Sequence, residues 1–338
     1  EEYNGTSWTE IADMSTARYT LGGNGTTSAS LAVAGLTPSI TAATEEFTLS
    51  AFSPIAAAWA SGGNLNTARY ASAGAGTQTA GLVAGGSLVT ANSEEYNGTS
   101  WSEGNNLNTA RMYVSGSGTQ TAALASNGDQ YPSPRYSNLA EEYNGTSWTA
   151  GNNSPVSIKQ AGSCGTQTAT LIFGGKPGSN TTQLYDGTNW TNTGHNMNTQ
   201  RDSLAGMGTS TAALAVGGPP TATTTTEEYN GSSWTSVTGT PSPFGGASSA
   251  GTQTAGLIFG GWGPGGNGYN ASTASYDGTN WSTQPNVATA RSFADMGPIG
   301  SSTSALFVSG QIAPGVTAAT EEFTGEVEQL GYKTLTSS

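Results

Sequence analysis

A short motif that returns every forty-odd residues places the strongest constraint on the fold of this chain. The sequence Glu-Glu-Tyr-Asn-Gly-Thr-Ser-Trp occurs at Glu1–Trp8, and near-identical copies begin at Glu94, Glu141 and Glu227. A period of this length is typical of repeat proteins, in which each repeat is one supersecondary unit that buries its apolar face only against its neighbours. With looser copies included, aromatic residues separated by 42 to 49 positions mark eight modules: Tyr3, Phe47, Tyr96, Tyr143, Tyr185, Tyr229, Tyr276 and Phe323.

Each repeat is predicted to form four short antiparallel strands. In the repeat that begins at Arg69, we predict a first strand over Arg69–Gly74 and a second over Ala80–Gly86, joined by a tight hairpin. A third strand follows at Ser93–Tyr96, and Asn97-Gly98 predicts a second hairpin because both residue types accept positive φ. Trp101 opens the fourth strand. No segment shows a sustained helical period, so four strands per repeat indicate a propeller blade.

The order of these features resembles the kelch repeat. A Gly-Gly pair closes the second strand, Tyr-Asn-Gly or Tyr-Asp-Gly follows, Trp comes five residues after the Tyr, and an Arg opens the next repeat. The motifs Glu-Glu-Tyr-Asn-Gly-Thr-Ser-Trp and Gly-Thr-Gln-Thr-Ala are similar to sequences of kelch-like arrays in structural and tail-fibre proteins of marine bacteriophages. The resemblance covers the whole chain. It implies an all-β fold in which residues 1–338 form a single seven-bladed β-propeller of four-stranded antiparallel blades.

The count of modules raises the question of how the ring closes. Eight aromatic modules stand beside seven hairpins of first and second strands, so we expect residues 1–14 to complete the last blade and 321–338 to form an exit tail. Alternatively, Phe323 and a strand around Tyr332 complete the last blade, and residues 1–14 belong to a lost upstream module. Because the chain begins with Glu1 rather than Met, we expect a processed product or a segment of a longer protein. The seven hairpins open at or near Arg18, Arg69, Arg111, Ile158, Arg201, Phe244 and Arg291.

Arginine and glutamate vary together between repeats. Five blades open with Arg and carry Glu-Glu in the third strand, whereas the two others lack both features. Joint loss predicts an ion pair inside each of the five blades, since an unpaired buried charge is costly; shared ancestry of the two odd blades is the alternative. We predict structural roles for Arg18, Arg69, Arg111, Arg201, Arg291, Glu46, Glu95, Glu142, Glu228 and Glu322. We also predict that one tryptophan stabilises each blade: Trp8, Trp59, Trp101, Trp148, Trp190, Trp234 and Trp281.

Composition argues against several functional classes. The net charge is −13 with only nine Lys and Arg residues, so we expect neither nucleic-acid binding nor attraction to an anionic membrane. No stretch is apolar and long enough for membrane insertion. One histidine, His195, and one cysteine, Cys164, give too few ligands for a zinc or copper site and no internal disulfide. We therefore expect no metal, no cofactor and no enzymatic activity.

Two loops that interrupt the repeat are the candidate binding sites. Asn127–Tyr136 contains Tyr131, Arg135 and Tyr136, and Gly261–Tyr269 contains Trp262 and Tyr269. Both join second to third strands, so we expect them on one face of the propeller, where exposed aromatic residues suit sugar stacking or a protein partner. The alternatives are that both loops are tolerated insertions, or that Trp262 packs over its own glycine-rich loop.

We predict from these features a binding or structural module on a virion surface, on a tail fibre or elsewhere outside the cell. Its expected partners are a cell-surface glycan or protein, or other subunits of the particle. A carbohydrate-active propeller enzyme is one alternative, and it requires acidic residues that converge at the central channel or on one face. An intracellular kelch-type adaptor is the other.

Overall fold

The described part of the chain is all-β and divides into two compact units. A computed structural model describes residues 2–3, 6, 8–9, 14, 17–25, 29–219, 222–263, 268–332 and 336–337, and no helix occurs among them. The larger unit, which we call the ring unit, spans Ala57–Gly325; the terminal unit comprises Glu1–Ala56 and Glu326–Ser338. Together they contain seven antiparallel sheets of four strands or more. The predicted all-β propeller class with seven repeated sheets is thus confirmed, and six of these sheets lie in the ring unit.

Five blades of the ring unit are built from consecutive strands. In each, the second strand is an almost continuous buried run, because both of its faces pack against other residues. Blade 1 contains β7 (Ala73–Thr77), β8 (Ala80–Ala84), β9 (Ser93–Tyr96) and β10 (Trp101–Glu103). Blade 2 contains β11 (Ser115–Thr119), β12 (Ala122–Ser126), β13 (Ala140–Tyr143) and β14 (Trp148–Ala150). Blade 3 contains β15 (Gly162–Thr166), β16 (Ala169–Phe173), β17 (Thr182–Tyr185) and β18 (Trp190–Asn192). Blade 4 contains β19 (Ala205–Gly208), β20 (Ala213–Val216), β21 (Thr226–Tyr229) and β22 (Trp234–Val237). Blade 5 contains β23 (Ser248–Thr252), β24 (Ala255–Phe259), β25 (Thr273–Tyr276) and β26 (Trp281–Gln284).

Blade 6 is completed by a strand from the opposite end of the ring unit. Its first three strands are β27 (Gly300–Ser301), β28 (Ser304–Ile312) and β29 (Gly315–Thr324), and its fourth is β6 (Ala58–Ser61). Trp59 pairs with Phe323, and its ring lies 5.1 Å from that of Phe323 and 4.9 Å from that of Phe259 in blade 5. This closure differs from both arrangements considered above, because neither residues 1–14 nor the strand of Tyr332 supplies the fourth strand of blade 6.

The terminal unit carries the seventh sheet. Its order is β3 (Gly22–Gly25), β4 (Ala29–Leu36), β5 (Ile40–Ile55) and β30 (Val327–Tyr332), and β31 (Thr336–Ser337) also pairs with β5. A separate pair joins β1 (Glu2–Tyr3) to β2 (Trp8–Thr9). Tyr332, which we considered for the last blade, instead pairs with Leu49. The side chains of Trp8 and Glu46 lie outside the described residues.

A closed circle of backbone hydrogen bonds joins the six blades of the ring unit. One residue per blade, two positions after each blade opening, has a left-handed φ between 47° and 58°. Its amide donates to the carbonyl of the equivalent residue in the preceding blade, as from Tyr113 to Ala71 at 2.7 Å and from Ala71 to Phe293 at 2.5 Å. Five of the six are not glycine, and non-glycine residues rarely adopt this conformation. The bonded circle therefore defines the axis of the ring. Its members are Ala71, Tyr113, Gln160, Ser203, Gly246 and Phe293.

Small residues fill the axis next to this circle. The innermost strands are rich in Gly, Ala and Ser, and serine hydroxyls bond across blades, as from Ser163 to the Gly116 carbonyl at 2.8 Å. Gly297 of blade 6 enters the axis so closely that a Cβ there would lie 2.2 Å from the Gly74 carbonyl oxygen. The axis is consequently a packed core and not an open channel.

Two local predictions need correction. The first strand of blade 1 begins at Ala73 instead of Arg69, because the residues before it form the left-handed turn at Ala71. In the Asn-Gly hairpin only Gly98 has positive φ. Asn97 contributes through its side chain, whose Oδ1 atom accepts hydrogen bonds from the Thr99 and Ser100 amides.

Candidate functional site

The predicted arginine–glutamate ion pairs are present in all five repeats that carry both residues. The Arg111 Nη2 to Glu141 Oε1 distance is 2.9 Å, and both side chains are almost fully buried. The same pairing joins Arg201 to Glu227 at 2.8 Å and Arg291 to Glu321 at 2.5 Å. Arg69 pairs with Glu94, and Arg18 pairs with Glu45 in the terminal unit. The arginines therefore have the structural role that the sequence predicted.

The partner of the arginine is the first glutamate of each pair: Glu45, Glu94, Glu141, Glu227 and Glu321. Successive residues of a strand point to opposite faces, so only one glutamate of the two can face the arginine. The first glutamate also orders the segment before the arginine: Glu141 accepts hydrogen bonds from the Asn108 amide at 2.6 Å and the Thr109 amide at 3.3 Å. The Asn108 side chain also donates to Glu141 at 2.9 Å and to the Trp148 carbonyl at 3.1 Å, and these bonds explain the recurrent Asn of this segment.

The second glutamate of the pair bonds to the following blade. Tyr143 donates its hydroxyl hydrogen to Glu95, and Tyr276 donates to Glu228 at 2.8 Å. Tyr96 donates in the same way to Glu322 at 2.5 Å, and burial, followed by this hydrogen bond, raises the pKa of Tyr96 to about 12. The hydroxyls therefore stay protonated at neutral pH. These glutamates are structural, as predicted, but they act between blades.

The tryptophans occupy equivalent positions in the ring unit. Trp101, Trp148 and Trp234 are buried, whereas Trp59, Trp190 and Trp281 are partly buried. From Trp101 onwards, each packs on the tyrosine five residues before it, with ring centroids 4.8 to 5.0 Å apart. The indole of Trp101 also donates to the Thr320 hydroxyl of the preceding blade at 2.9 Å. The tryptophans thus connect neighbouring blades and also fill the space within each blade.

The predicted binding loop of blade 2 is built around one buried carboxylate. Asp129 is fully buried, and its Oδ1 atom accepts a hydrogen bond from the Tyr131 amide at 2.9 Å. Its Oδ2 atom accepts from Arg135 Nε at 3.3 Å and from Lys159 Nζ, in blade 3, at 2.5 Å. A buried carboxylate with partners on both oxygens holds a loop in one conformation. Asp129 therefore fixes the positions of both Tyr131 and Arg135.

Aromatic rings surround the two cations of this loop. The Arg135 guanidinium carbon lies 5.2 Å from the centre of the Tyr131 ring. Lys159 Nζ lies 5.2 Å from the Tyr136 ring and 5.6 Å from the Tyr113 ring. The structure thus brings together the three predicted residues Tyr131, Arg135 and Tyr136. Tyr131 is 59% exposed as a residue, and the Arg135 side chain is 55% exposed.

An open groove runs beside this loop. Its volume is about 800 Å³, within the range usual for small-molecule sites. Gln130, Tyr131 and Ser133 form one wall, and a blade 1 loop forms the other with Leu88 and Val89. Leu88 is 97% exposed, and both Leu88 and Val89 have positive φ. Non-glycine residues rarely adopt this conformation, so Leu88 and Val89 form a strained turn at the edge of the groove.

The second predicted loop is mainly structural. The Trp262 indole covers Gly245 and Gly246 so closely that a Cβ on Gly246 would lie 2.1 Å from its Cζ3 atom. Its ring also packs on Phe293 at 4.6 Å, and the Tyr269 hydroxyl donates to the Ile312 carbonyl at 3.1 Å. Trp262 therefore packs over the Gly245-Gly246 turn at the opening of blade 5, which is not part of its own loop, and residues 264–267 of its own loop lie outside the described part. Ring contacts continue from Phe293 to Tyr113 at 5.3 Å, so the two loops share one face.

One titratable group lies at the packed axis. Asp295 of blade 6 is fully buried, and burial raises its pKa to about 7 although a hydrogen bond from the Ser248 hydroxyl at 2.9 Å opposes the shift. Its Oδ2 atom has no hydrogen-bond partner among the described residues. A neighbouring cavity of about 10 Å³, also lined by Ser163, Ser203 and Ser249, is close to the minimum that holds one water molecule.

Asp129, Lys159 and Leu88 were missed by sequence reasoning. Asp129 directly follows the glycine-pair position, where blade 2 has Asn127-Gly128, and Lys159 stands at a blade opening without arginine. Both departures from the repeat can be read in the sequence, but the contact between Asp129 and Lys159 can be predicted only when the alignment of neighbouring blades is known. Cys164 is buried, which raises the pKa of its thiol, and His195 is exposed, with its Nδ1 atom 3.1 Å from the Tyr229 hydroxyl.

Comparisons and two searches of the described residues complete the description of the site. No protein family matches the chain, and no curated protein matches it. In the described ranges, no three His, Cys, Asp or Glu side chains cluster as metal ligands do. No helix within those ranges has the length and apolar character needed to cross a membrane.

Proposed function

We propose that this chain is a non-enzymatic recognition module whose binding surface is the Asn127–Tyr136 loop with its adjoining groove. The observation that carries the proposal is the buried Asp129 carboxylate, which ties Tyr131, Arg135 and Lys159 into one fixed arrangement. Loops on a rigid scaffold commonly carry binding residues, and an ordered loop loses less entropy when a ligand binds. This combination of fixed geometry and exposed aromatic and cationic groups supports a recognition role.

As part of the same proposal, the module belongs with kelch-like propellers of bacteriophage structural proteins. The repeat wording and the Tyr-x-Gly, Trp and Arg spacing support this relationship. On a virion surface or tail fibre, such a module would contact a cell-surface glycan or protein, or another subunit of the particle. The uncharged Thr, Ser and Asn surface of the chain fits an extracellular location.

The disposition of the acidic residues supports a binding role over catalysis. In the ring unit, first glutamates such as Glu141 pair with arginine, and second glutamates such as Glu142 accept a tyrosine hydroxyl. Glycoside hydrolysis generally needs two carboxyl groups that flank the bond to be broken. The cavity at the axis presents one, Asp295, and holds no more than about one water molecule.

The test is binding of the intact protein to bacterial cells and to a glycan array, with Tyr131→Ala as the variant. Tyr19→Ala is the matched control, because Tyr19 is 61% exposed and lies in the terminal unit. We expect binding that Tyr131→Ala weakens at least tenfold and Tyr19→Ala leaves unchanged. Equal binding by all three proteins would contradict the assignment of the site.

A further inference from the structure

Arg135 is the single exposed arginine in the described part of a strongly acidic chain. The other five arginine side chains, all of which pair with glutamates, are no more than 1% exposed. A net charge of −13 repels anions at long range, so an anionic group is expected to bind beside a fixed exposed cation such as Arg135. A ligand group that binds beside Arg135 is therefore expected to be negatively charged.

The guanidinium of Arg135 is held in a way that leaves its outer edge accessible. Asp129 contacts the Nε atom at 3.3 Å, and the guanidinium stacks on the Tyr131 ring. The Nη1 and Nη2 atoms make no hydrogen bond to any residue that the structure describes. These two nitrogens point in nearly parallel directions, as required for two hydrogen bonds to one carboxylate. The contact with Asp129 orients the guanidinium without occupying those donors.

The groove beside this guanidinium is suited to a polar ligand with a ring. Tyr131 belongs both to the stack with Arg135 and to the groove, so a ligand in the groove can reach the guanidinium across a single aromatic side chain. Gln130, Thr109 and Ser133, whose side chains carry hydrogen-bonding groups, line the same groove. Hydrogen-bonding groups next to an amphipathic aromatic ring match the alternating faces of a sugar.

We propose that this site binds a saccharide that carries a carboxylate group. Arg135 binds the carboxylate, the exposed part of the Tyr131 ring packs against a sugar face, and the groove holds the adjoining sugar units. A protein partner is less well matched, because stable protein interfaces bury about 800 Å² on each side around an apolar core. The large exposed apolar side chains of this groove are Leu88 and Tyr131 alone. The inference rests on the proposed function and names its class of ligand.

The test compares acidic saccharides with matched neutral ones by calorimetry on the intact protein. Trigalacturonate is compared with its methyl ester, and sialyllactose with the methyl ester of its sialic acid, because each pair differs mainly in the charge of the carboxylate. We expect the acidic member to bind at least tenfold more tightly, and Arg135→Gln to weaken it by about 10- to 100-fold. Arg135→Lys, which keeps the charge and loses the paired donors, should fall between the two.

Lys176→Gln supplies the matched control. Lys176 is an exposed cation in the corresponding loop of blade 3, 43% exposed and 3.7 Å from Asp202. Its substitution should leave binding unchanged, and thermal unfolding should show that all variants are folded. Acidic and neutral saccharides that bind equally, or unchanged binding by Arg135→Gln, would overturn the inference. If neutral saccharides bind and Tyr131→Ala abolishes that binding, the preference for acidic saccharides is overturned and the recognition function is kept. If no saccharide binds, the inference is overturned, and the cell-binding experiment still tests the recognition function.

Discussion

The hydroxyl of Tyr185 in blade 3 donates its hydrogen to Glu142 in blade 2. This bond between neighbouring blades depends on two repeat positions, the second glutamate of one blade and the tyrosine of the next. Where blade 5 has Ser275 at the glutamate position, the following blade has Phe323, which has no hydroxyl. Where blade 3 has Leu184 there, the Tyr229 hydroxyl donates to the Gly231 carbonyl of its own blade at 3.0 Å. Both partners are thus lost together between blades 5 and 6, whereas Tyr229 keeps its hydroxyl and bonds to another acceptor.

We expect Tyr185→Phe and Glu142→Gln each to lower the free energy of unfolding by about 1–3 kcal/mol, the usual range for a hydrogen bond to a charged group. The double variant should cost little more than either single variant, because both remove the same bond. Urea denaturation of the four proteins measures the coupling. Tyr229→Phe is the control, since its hydroxyl contacts the Gly231 carbonyl and the His195 ring instead of a carboxylate, and its loss should cost less. Additive losses in the double variant would show that the bond contributes nothing.

Arg111→Ala should destabilise the protein by about 3–5 kcal/mol, because it leaves Glu141 buried without its cation. The double variant Arg111→Ile with Glu141→Gln should recover part of this loss. It reproduces Ile158 and Gln183 of blade 3, where the Ser154 hydroxyl donates to the Gln183 amide oxygen. Thermal unfolding of the single and double variants measures how much stability the double variant recovers. A double variant less stable than Arg111→Ala would contradict the reciprocal dependence of the two positions.

Much of the fold was predictable because its signals are local. The third strand at Ser93–Tyr96 was placed to the residue, since Glu-Glu-Tyr and the following Asn-Gly punctuate it. The joint loss of arginine and glutamate also predicted the ion pair, because two residues that contact each other within one blade are present or absent together in each repeat. Which glutamate faces the arginine was decided by the pleat of the strand and by the neighbouring blade, and the sequence of one blade does not contain that neighbour.

The prediction of how the ring closes was wrong, because closure depends on pairing between strands that are far apart in the sequence. Trp59 stands twelve residues after Phe47, whereas the other modules place Trp five residues after Tyr, and this difference was a sign that Trp59 belongs elsewhere. In the structure Trp59 pairs with Phe323, which lacks its own tryptophan. The candidate site was predictable only in part for a similar reason: Tyr131 and Arg135 stand out as an insertion, but Lys159 reaches Asp129 from another blade.

Trp148→Ala should lower the free energy of unfolding by about 3–5 kcal/mol, as expected when a buried aromatic ring is removed. Trp148 is buried, with its ring centre 4.9 Å from that of Tyr143. Calorimetry or urea denaturation measures the loss. Ser102→Ala, on the exposed side of the fourth strand of blade 1, is the control and should change stability little. Unchanged unfolding of Trp148→Ala would contradict the role assigned to the repeated tryptophans.

Trp262→Ala should reduce stability without affecting ligand binding at the Asn127–Tyr136 loop. The indole fills the space over Gly245 and Gly246 and packs on Phe293, so its removal leaves a cavity beside the bonded circle. Thermal unfolding combined with the cell-binding measurement separates the two roles. A variant that unfolds like the wild type and no longer binds would reinstate Trp262 as a contact residue.

Asp295→Asn should remove a pH dependence of stability that arises at the axis. The pKa of Asp295 is raised to about 7 by burial, whereas a carboxyl group in the unfolded chain has a pKa near 3.9. Between these values the folded protein holds a proton that the unfolded chain releases. The contribution of Asp295 to stability is therefore fully present below about pH 4, and it is lost as the pH rises to about 7. The loss is on the order of 4 kcal/mol at most.

The measurement is the midpoint of thermal unfolding of wild type and Asp295→Asn from about pH 4 to pH 8. Exposed carboxylates such as Asp186 and Asp277, whose pKa values are lowered by hydrogen bonds from backbone amides, act in the opposite direction in both proteins. Their effect cancels in the difference between the two curves. Wild type should lose stability relative to the variant as the pH rises through this interval, because the variant has no proton to release. A difference independent of pH would mean that Asp295 titrates alike in the folded and unfolded states, and that burial at the packed axis does not disfavour its charge.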